Sequence, residues 1–177
     1  MSDATEARYS APRSAEAPVA DHGAAGWSVR AATYADIEAV AAAVRELLLE
    51  LGGAPPADSA MQEVVRVLIA SPWEGAVLVA DADRAIVGVI AASWQTAIHA
   101  PGAYALIQDL WVEPAWRSRA VGAGLMAALF DLARSRQMER VEVGLPLESF
   151  ARFAATEAFY LGNGFTPNGP RMRRLLA

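Results

Sequence analysis

Residues 108–129 read QDLWVEPAWRSRAVGAGLMAAL: an apolar strand pattern, a proline, a short basic loop and an alanine-rich helical pattern. Pro114 stops the strand because it has no N–H group to donate to a ladder. A helix that begins near Ala120 presents unpaired backbone N–H groups and the positive end of its dipole in its first turn. A phosphate group is stabilised at such a helix start, so this segment predicts an anion site.

The side chains around this helix start are small or basic. Positions 120 and 122–124 carry only Ala or Gly, which lets phosphate oxygens approach the backbone. Arg117 and Arg119 add positive charge, and none of residues 114–130 is acidic. The same residues would also suit close packing of a helix on a sheet beside a solvated loop, and the sequence leaves both interpretations open.

Two other phosphate-binding patterns do not fit this chain. It has no Gly-x-x-x-x-Gly-Lys-Ser/Thr run, which excludes a P-loop. No Gly-x-Gly-x-x-Gly follows the first predicted strand, and the acidic residue expected further along is missing. A dinucleotide-binding fold is therefore not expected.

Upstream of the anion site, the pattern predicts one strand and two helices. Alternating residues at 27–32 predict the strand. A helix is predicted at 33–53, with Thr33 as its cap, Asp36 in the capping-box position and two glycines at its end. A second amphipathic helix is predicted at 59–71.

The middle of the chain predicts a meander of three strands. Two of them form a hairpin at 75–95, with the turn at 81–84. A loop is predicted at 96–103 and the third strand at 104–114. The alanine-rich helix follows at 121–137.

The C-terminal part predicts a strand at 138–146, a helix at 149–165 and a last strand at 170–177. The resulting order, β-α-α-β-β-β-α-β-α-β, is typical of an α+β fold with a mixed sheet. The helix after the strand at 104–114 acts as a crossover and favours parallel pairing of the strands on either side of it.

Composition excludes several classes of function. The 177 residues carry a net charge of −5, which argues against nucleic-acid binding. The absence of cysteine excludes disulfides, thiolate metal sites and cysteine nucleophiles, and with only two histidines we expect no metal site. No apolar run is long enough for a membrane helix, and the N-terminus shows no secretory signal pattern, so we expect a cytoplasmic protein without membrane partners.

The chain divides into an N-terminal tail and one domain. Residues 1–25 are rich in Ala, Ser, Pro and charge and have few large apolar side chains, so they predict a flexible tail that includes His22. Residues 26–177 form the predicted domain.

Two motifs in the domain resemble those of the GNAT superfamily, the acyl-CoA-dependent N-acyltransferases. The first is a strand ending near Val-x-Pro, followed by Arg/Gln-x-x-Gly-x-Gly/Ala at the start of a helix. It falls here on residues 117–122, with Ala120 in place of the first glycine. The second, Phe-Tyr-x-x-x-Gly-Phe, matches residues 159–165. The resemblance covers about residues 27–176 and implies a mostly antiparallel mixed sheet, helices on both faces and a central parallel strand pair splayed at a cofactor cleft.

By this resemblance, the chain transfers an acetyl group from acetyl-CoA to a primary amine by direct attack in a ternary complex. The backbone of residues 110–112 is expected to pair with the pantetheine arm, and the first turn of the helix to hold the diphosphate. The predicted cofactor-binding residues are Leu110, Trp111, Val112, Arg117, Ser118, Arg119, Ala120, Val121, Gly122 and Ala123. Alanine at position 120 is expected to adopt a helical conformation there.

The resemblance implies that Tyr160 protonates the CoA thiolate and that the Val112 N–H group stabilises the oxyanion. Asp109 is the predicted general base, because the neighbouring Gln108 cannot accept a proton. Glu113, Glu148 and water remain alternatives for the base. Tyr160 could instead be a packed aromatic residue.

Three further features remain open from the sequence. Phe153 stands where the family often has an asparagine that contacts the cofactor, and Asn163 is expected to cap the last helix. His99, Trp73 and Trp94 are weaker candidates for the acceptor site, for which the sequence indicates a small molecule, an amino acid or a peptide. A non-catalytic acyl-CoA-binding sensor or interaction domain is the alternative function, and a homodimer is left open.

Overall fold

The structure, a computed structural model, describes residues 20–22, 26–169 and 171–174. Most of the predicted tail, and residues 170 and 175–177 of the predicted last strand, lie outside the described residues. Within those residues, six strands form one sheet in chain order: β1 (Ala20–His22), β2 (Trp27–Ala31), β3 (Gly75–Ala82), β4 (Ala85–Ala97), β5 (Ala100–Val112) and β6 (Val141–Val143). The helices are α1 (Ile37–Glu50), α2 (Asp58–Ala70), α3 (Val121–Ser135) and α4 (Phe153–Gly162).

The sheet is mixed. Strands β1 to β5 pair antiparallel with their neighbours, and β6 lies parallel to β5. Helix α3 connects β5 to β6, as the crossover of a parallel pair requires. The prediction of a mostly antiparallel α+β sheet with one parallel pair is confirmed.

The helices cover both faces of the sheet. Val40 and Ala43 of α1 and Val65 of α2 pack on Val79 and Val89 in one apolar cluster, and we call this side the α1 face. The other cluster joins the sheet to α3 and to Tyr160 of α4, and we call this side the α3 face. The two faces matter for the site because a ligand that passes between two strands of the sheet touches both.

An ion-pair network fixes the start of α1. Arg30 on β2 donates to both carboxylate oxygens of Asp36, at 2.7 and 2.9 Å, and to Asp81 of β3 at 2.8 Å. Asp36 also accepts hydrogen bonds from the backbone N–H and the hydroxyl of Thr33, at 2.7 and 2.8 Å. The predicted capping-box pair is therefore present, on a short 3₁₀ turn (Tyr34–Asp36) that leads into α1.

Four predicted element boundaries are wrong. The segment predicted as a loop at 96–103 is largely strand, since β4 runs to Ala97 and β5 begins at Ala100. Backbone pairing extends this hairpin although its residues show no apolar pattern. The strand at 138–146 keeps three ladder residues, because its chain leaves β5 after Val143. Helix α4 spans ten residues instead of the predicted seventeen at 149–165, and residues 171–174 form no strand.

One strand lies inside the predicted tail. Ala20–His22 pairs antiparallel with the outer edge of β2, in the register Ala20 to Val29 and His22 to Trp27. The composition argument missed it because edge pairing uses backbone groups and needs no large apolar side chains. The other residues of 1–25 lie outside the described part of the chain.

Candidate active site

A β-bulge in β5 divides the strand into two functional halves. Ala92 of β4 pairs with Ile107 and Ala91 pairs with Asp109, so Gln108 is an extra residue on β5. The Gln108 side chain donates to the Ser93 hydroxyl at 2.8 Å. Because an extra residue reverses the alternation of side chains, the bulge changes the face on which every later side chain lies.

The bulge places Asp109 on the α1 face. Ile107 packs in the cluster of the α3 face, and so do Leu110 and Val112 after the bulge. Trp111 packs in the cluster of the α1 face. Asp109 is two residues before Trp111 and shares its face, because alternate residues of a strand point to the same side. The sequence alone gave no sign of this reversal.

The parallel strands β5 and β6 separate at the same level. They pair at residues 105–107 and 141–143, and beyond Val143 the chain turns through residues 144–152 towards α4. The C-terminal half of β5 is therefore paired with β4 on one side and open on the other. This is the splayed pair that the sequence predicted, and we call the opening the cleft.

Backbone groups of Leu110 and Val112 point into the cleft. The Glu113 N–H group donates to the Val87 carbonyl at 3.0 Å, so Glu113 faces β4. Because successive residues of a strand alternate, Trp111 also faces β4, whereas Leu110 and Val112 face the open edge. Of the three backbone positions predicted to pair with a cofactor, two are placed for it, and Trp111 belongs to the β4 ladder.

The segment before α3 forms a turn lined with N–H groups, which we call the anion turn (residues 118–123). Ser118 and Ala120 have positive φ angles of +61° and +62°. Left-handed residues next to right-handed ones turn successive N–H groups to one side and create a concave anion site. Within the described part of the chain, no hydrogen bond occupies the N–H groups of the anion turn. The expectation that Ala120 is helical is wrong; it precedes α3 in a left-handed conformation.

Gly122 has a packing role as well as a role in the anion turn. A Cβ atom at this position would lie 3.3 Å from the Phe159 ring and 3.6 Å from the Val112 side chain. The residue therefore permits α4 to approach the start of α3. Close packing, one of the two interpretations left open by the sequence, is therefore present at this helix start, and phosphate access stays a prediction.

The two arginines differ in their contacts. Arg117 donates through Nε to the Val112 carbonyl at 2.9 Å, and its other end pairs with Glu50 at the end of α1. Arg119 is exposed, and its guanidinium lies 5.3 Å from the centre of the Trp116 ring. Arg119 is therefore free of ion pairs among the described residues, whereas Arg117 already has a carboxylate partner.

Tyr160 lies in α4 within an aromatic group. Its ring makes edge-to-face contacts with Phe159 and Phe165, each with centroids 5.4 Å apart. Burial, and then the nearby charge of Asp109, raise the pKa of Tyr160 to about 12. The phenol is thus packed and held in its protonated form, and its role as a proton donor stays a prediction.

Asp109 is partly buried, and none of the described residues forms a hydrogen bond or ion pair with its carboxylate. Burial raises its pKa above the ordinary value because the charged form is poorly solvated. The charge of Asp109 in turn adds to the rise in the pKa of Tyr160. A carboxylate with a raised pKa and a protonated phenol are groups suited to acid–base chemistry.

The three weaker acceptor-site candidates occupy different parts of the fold. His99 is in the turn between β4 and β5, about ten strand residues and so roughly 30 Å from Asp109. Trp94 donates to the Pro72 carbonyl at 3.0 Å and packs under Arg136, which makes it structural. Trp73 is 64% exposed and follows α2.

The remaining predicted positions near α4 have ordinary structural roles. Phe153 begins α4 and is half-buried. Asn163 caps the end of this helix, donating to the Phe159 carbonyl at 2.7 Å, as predicted. Glu50 is the residue that sequence reasoning missed: it lies 67 positions before Arg117, and its pairing depends on where the end of α1 packs.

Comparison with known proteins identifies the family. The family model described as an acetyltransferase (GNAT) domain matches residues 73–167, which is more than half of the chain. This chain belongs to the GNAT acetyltransferase family. Among curated proteins, none matches the sequence.

Solved structures of GNAT proteins superpose well on this one. A protein of Arthrobacter sp. FB24 named as an acetyltransferase is 28% identical, with a TM-score of 0.70 over 84% of this chain and 95% of its own. A Clostridium acetobutylicum protein crystallised with acetyl-CoA is 16% identical, with a TM-score of 0.69 over 84% and 96%. Glucosamine-6-phosphate N-acetyltransferase from Arabidopsis thaliana is 13% identical, with a TM-score of 0.68 over 85% and 99%. The last two comparisons show the GNAT fold alone.

The residues present fit acetyl-CoA, the acyl donor of GNAT enzymes. The anion turn offers unoccupied N–H groups for a diphosphate, and the open edge of β5 offers Leu110 and Val112 to an extended amide chain. Across residues 20–22, 26–169 and 171–174, no group of His, Asp or Glu side chains is arranged to hold a metal ion. None of the helices in that part of the chain is long and apolar enough to cross a membrane.

Proposed function

We propose that this protein is an N-acetyltransferase that moves the acetyl group of acetyl-CoA to a primary amine bound at the same time. The observation that supports this most is the meeting of four features at one cleft. These are the anion turn, the open edge of β5, the protonated Tyr160 and the raised-pKa Asp109.

The anion turn and β5 would hold the donor. N–H groups of residues 118–123 bind the diphosphate at the start of α3, and Arg119 adds a free positive charge beside it. Leu110 pairs with the amides of the pantetheine arm in the manner of an added strand, and the Val112 N–H group stays available for the thioester, since the Val112 carbonyl accepts from Arg117. When bound, acetyl-CoA supplies a thioester whose carbonyl carbon accepts the amine.

The chain's own groups then handle protons and charge. The Asp109 carboxylate takes the proton of the acceptor ammonium, directly or through water, and leaves a neutral amine. The Val112 N–H group donates to the carbonyl oxygen as negative charge develops there. The Tyr160 hydroxyl gives its proton to the sulfur as the carbon–sulfur bond breaks and the carbon–nitrogen bond forms.

Tyr160→Phe tests the acid step. We expect the rate of thiol release from acetyl-CoA in the presence of amines to fall by about 10²-fold or more, while the dissociation constant of acetyl-CoA stays within about twofold.

Asp109→Asn tests the base step and should also slow the reaction. In the wild-type protein we expect the rate to fall as the pH drops through the raised pKa of Asp109, because the base becomes protonated; the variant should lose this dependence.

Ala123→Asp tests the donor site. Ala123 is exposed in the first turn of α3. A carboxylate there interacts favourably with the helix dipole but repels a diphosphate. We expect weaker acetyl-CoA binding with no loss of thermal stability. This variant is a cleaner probe than Gly122→Asp, because any Cβ at position 122 also meets Phe159. Unchanged acetyl-CoA affinity in the Ala123→Asp variant would contradict the donor site. If the wild-type protein binds acetyl-CoA tightly but releases no thiol with any amine, the alternative function of a sensor is favoured.

A further inference from the structure

A second pocket opens on the α1 face, between the end of α1 and the segment that joins β6 to α4. Its volume is about 390 Å³. The apolar residues that line it, which we call the leucine pocket, are Leu51, Pro146, Leu147, Phe150 and Ala151. Leu147 is 80% exposed and Leu51 is 40% exposed, so large apolar side chains are left uncovered at this point. Uncovered apolar surface inside a concavity is typical of ligand sites.

The leucine pocket lies next to the cleft, because Glu50 lines it and pairs with Arg117, which donates to the Val112 carbonyl at 2.9 Å. Pro146 and Leu147 also line the larger groove that contains Tyr160. The anion turn lies at the start of α3, on the α3 face, whereas the leucine pocket lies at the end of α1, the helix that packs on the other face. A donor held by the anion turn therefore leaves the leucine pocket free for the second substrate, which would reach the cleft past Asp109.

The charge of the leucine pocket is balanced. Among the described residues that line it, Glu50 is the sole ionisable side chain, and it pairs with Arg117. The pocket therefore offers apolar contacts and no unpaired carboxylate. A second ammonium group on the acceptor would lose water there without gaining a partner.

We propose that the acetyl acceptor is a primary amine with one apolar substituent, aliphatic or aryl, and that the leucine pocket binds this substituent. This rests on the proposed function and specifies its substrate class. The amine itself lies at the cleft beside Asp109. Polyamines and other polycationic amines are poor substrates for the same physical reason, since their second charge would enter the leucine pocket.

Two amines of equal length test the proposal. Heptylamine and hexamethylenediamine differ in having a terminal methyl or a terminal ammonium group. We expect kcat/KM for heptylamine to be at least about tenfold higher, measured by thiol release from acetyl-CoA. Calorimetric titration of each amine into the protein gives a second readout that does not depend on turnover, and heptylamine should bind more tightly.

Leu147→Asp is the variant that tests the pocket, and Ile98→Asp is its control. Both replace an exposed apolar side chain with a carboxylate, and Ile98 lies in the turn between β4 and β5, far from the cleft. Leu147→Asp should raise the KM and the dissociation constant for heptylamine by about tenfold or more and reduce the preference over the diamine. Ile98→Asp should change neither value.

The outcomes separate the two proposals. The leucine pocket assignment would be overturned if the wild-type protein used the diamine as well as heptylamine or better. It would also be overturned if the Leu147→Asp and Ile98→Asp variants bound heptylamine equally. In either case, thiol release would still support acetyl transfer. Failure of both amines to release thiol from bound acetyl-CoA would overturn the proposed function, and the acceptor class with it.

Discussion

Ala120 carries a backbone conformation that its side chain disfavours. Its φ of +62° lies in the left-handed region, where a Cβ atom costs roughly 1–2 kcal/mol and glycine costs nothing. The residue stands where the GNAT motif has its first glycine. The left-handed residues direct the N–H groups of the anion turn to one side.

Replacing this alanine with glycine should therefore stabilise the protein. We expect Ala120→Gly to raise the free energy of unfolding by about 0.5–1 kcal/mol. Glycine relieves the strain of the folded state, but it also gives the unfolded chain more entropy, which offsets part of the gain. Urea denaturation measures it. Ala127→Gly, at an exposed position within α3, should lower the same quantity by about 1 kcal/mol. Equal destabilisation by both substitutions would show that position 120 is not strained.

Motif position and residue chemistry predicted Tyr160 and Asp109 as the principal catalytic candidates, but not their environments. Burial raises both pKa values, and the charge of Asp109 raises that of Tyr160 further, although the two residues belong to different elements far apart in the chain. Glu50 could not be found at this scale, because nothing in the local sequence connects it with Arg117.

At the scale of elements, the ion-pair network at the start of α1 should make stability depend on pH. Hydrogen bonds from Arg30, and then from Thr33, lower the pKa of Asp36 from 3.8 to about 2, despite its burial. Because the pKa of Asp36 is lower in the folded than in the unfolded state, the network contributes its full stabilisation at pH values above the unfolded pKa, near 4. The contribution falls as the pH drops from about 4 towards 2.

Asp36→Ala tests this network. We expect it to lower the free energy of unfolding at neutral pH by about 2 kcal/mol, a difference that shrinks on acidification. Asp131→Ala, which removes an exposed pair with Arg134 on α3, is the matched control and should cost about 0.5 kcal/mol or less. A loss for Asp36→Ala that is unchanged between pH 6 and pH 2.5 would contradict the assignment.

Element types were predicted better than element ends. Periodicity located all four helices and the meander, because burial of one face imposes it on the sequence. The ends depend on which backbone groups find partners. Strand β6 stops at Val143 because its chain leaves β5 at the level of the bulge, and the hairpin extends to Ala97 because its partner strand continues.

At the scale of the whole molecule, the boundary of the domain can be tested by truncation. We propose that the domain comprises residues 26–177, with β1 as an addition to its edge. Deletion of residues 1–19 should leave the midpoint of thermal unfolding and the acetyl-CoA affinity unchanged, because that composition cannot form a core.

Deletion of residues 1–25 serves as the comparison. It removes the pairing of β1 with β2 and should lower the unfolding midpoint slightly while sparing acetyl-CoA binding, since β1 lies at the opposite edge of the sheet from the cleft. Loss of acetyl-CoA binding in either truncated protein would show that the N-terminal segment belongs to the functional unit.

The sequence by itself determined the α+β class and the crossover between parallel strands, and it predicted an anion site at the start of α3, because periodicity, proline and small residues act locally. Tertiary structure decided which groups share the cleft. The bulge at Gln108 reverses the faces of β5, and the separation of β5 from β6 leaves one strand edge unpaired. Both arise from how distant strands align, and a register between distant strands is set by their packing rather than by the residues of either strand alone.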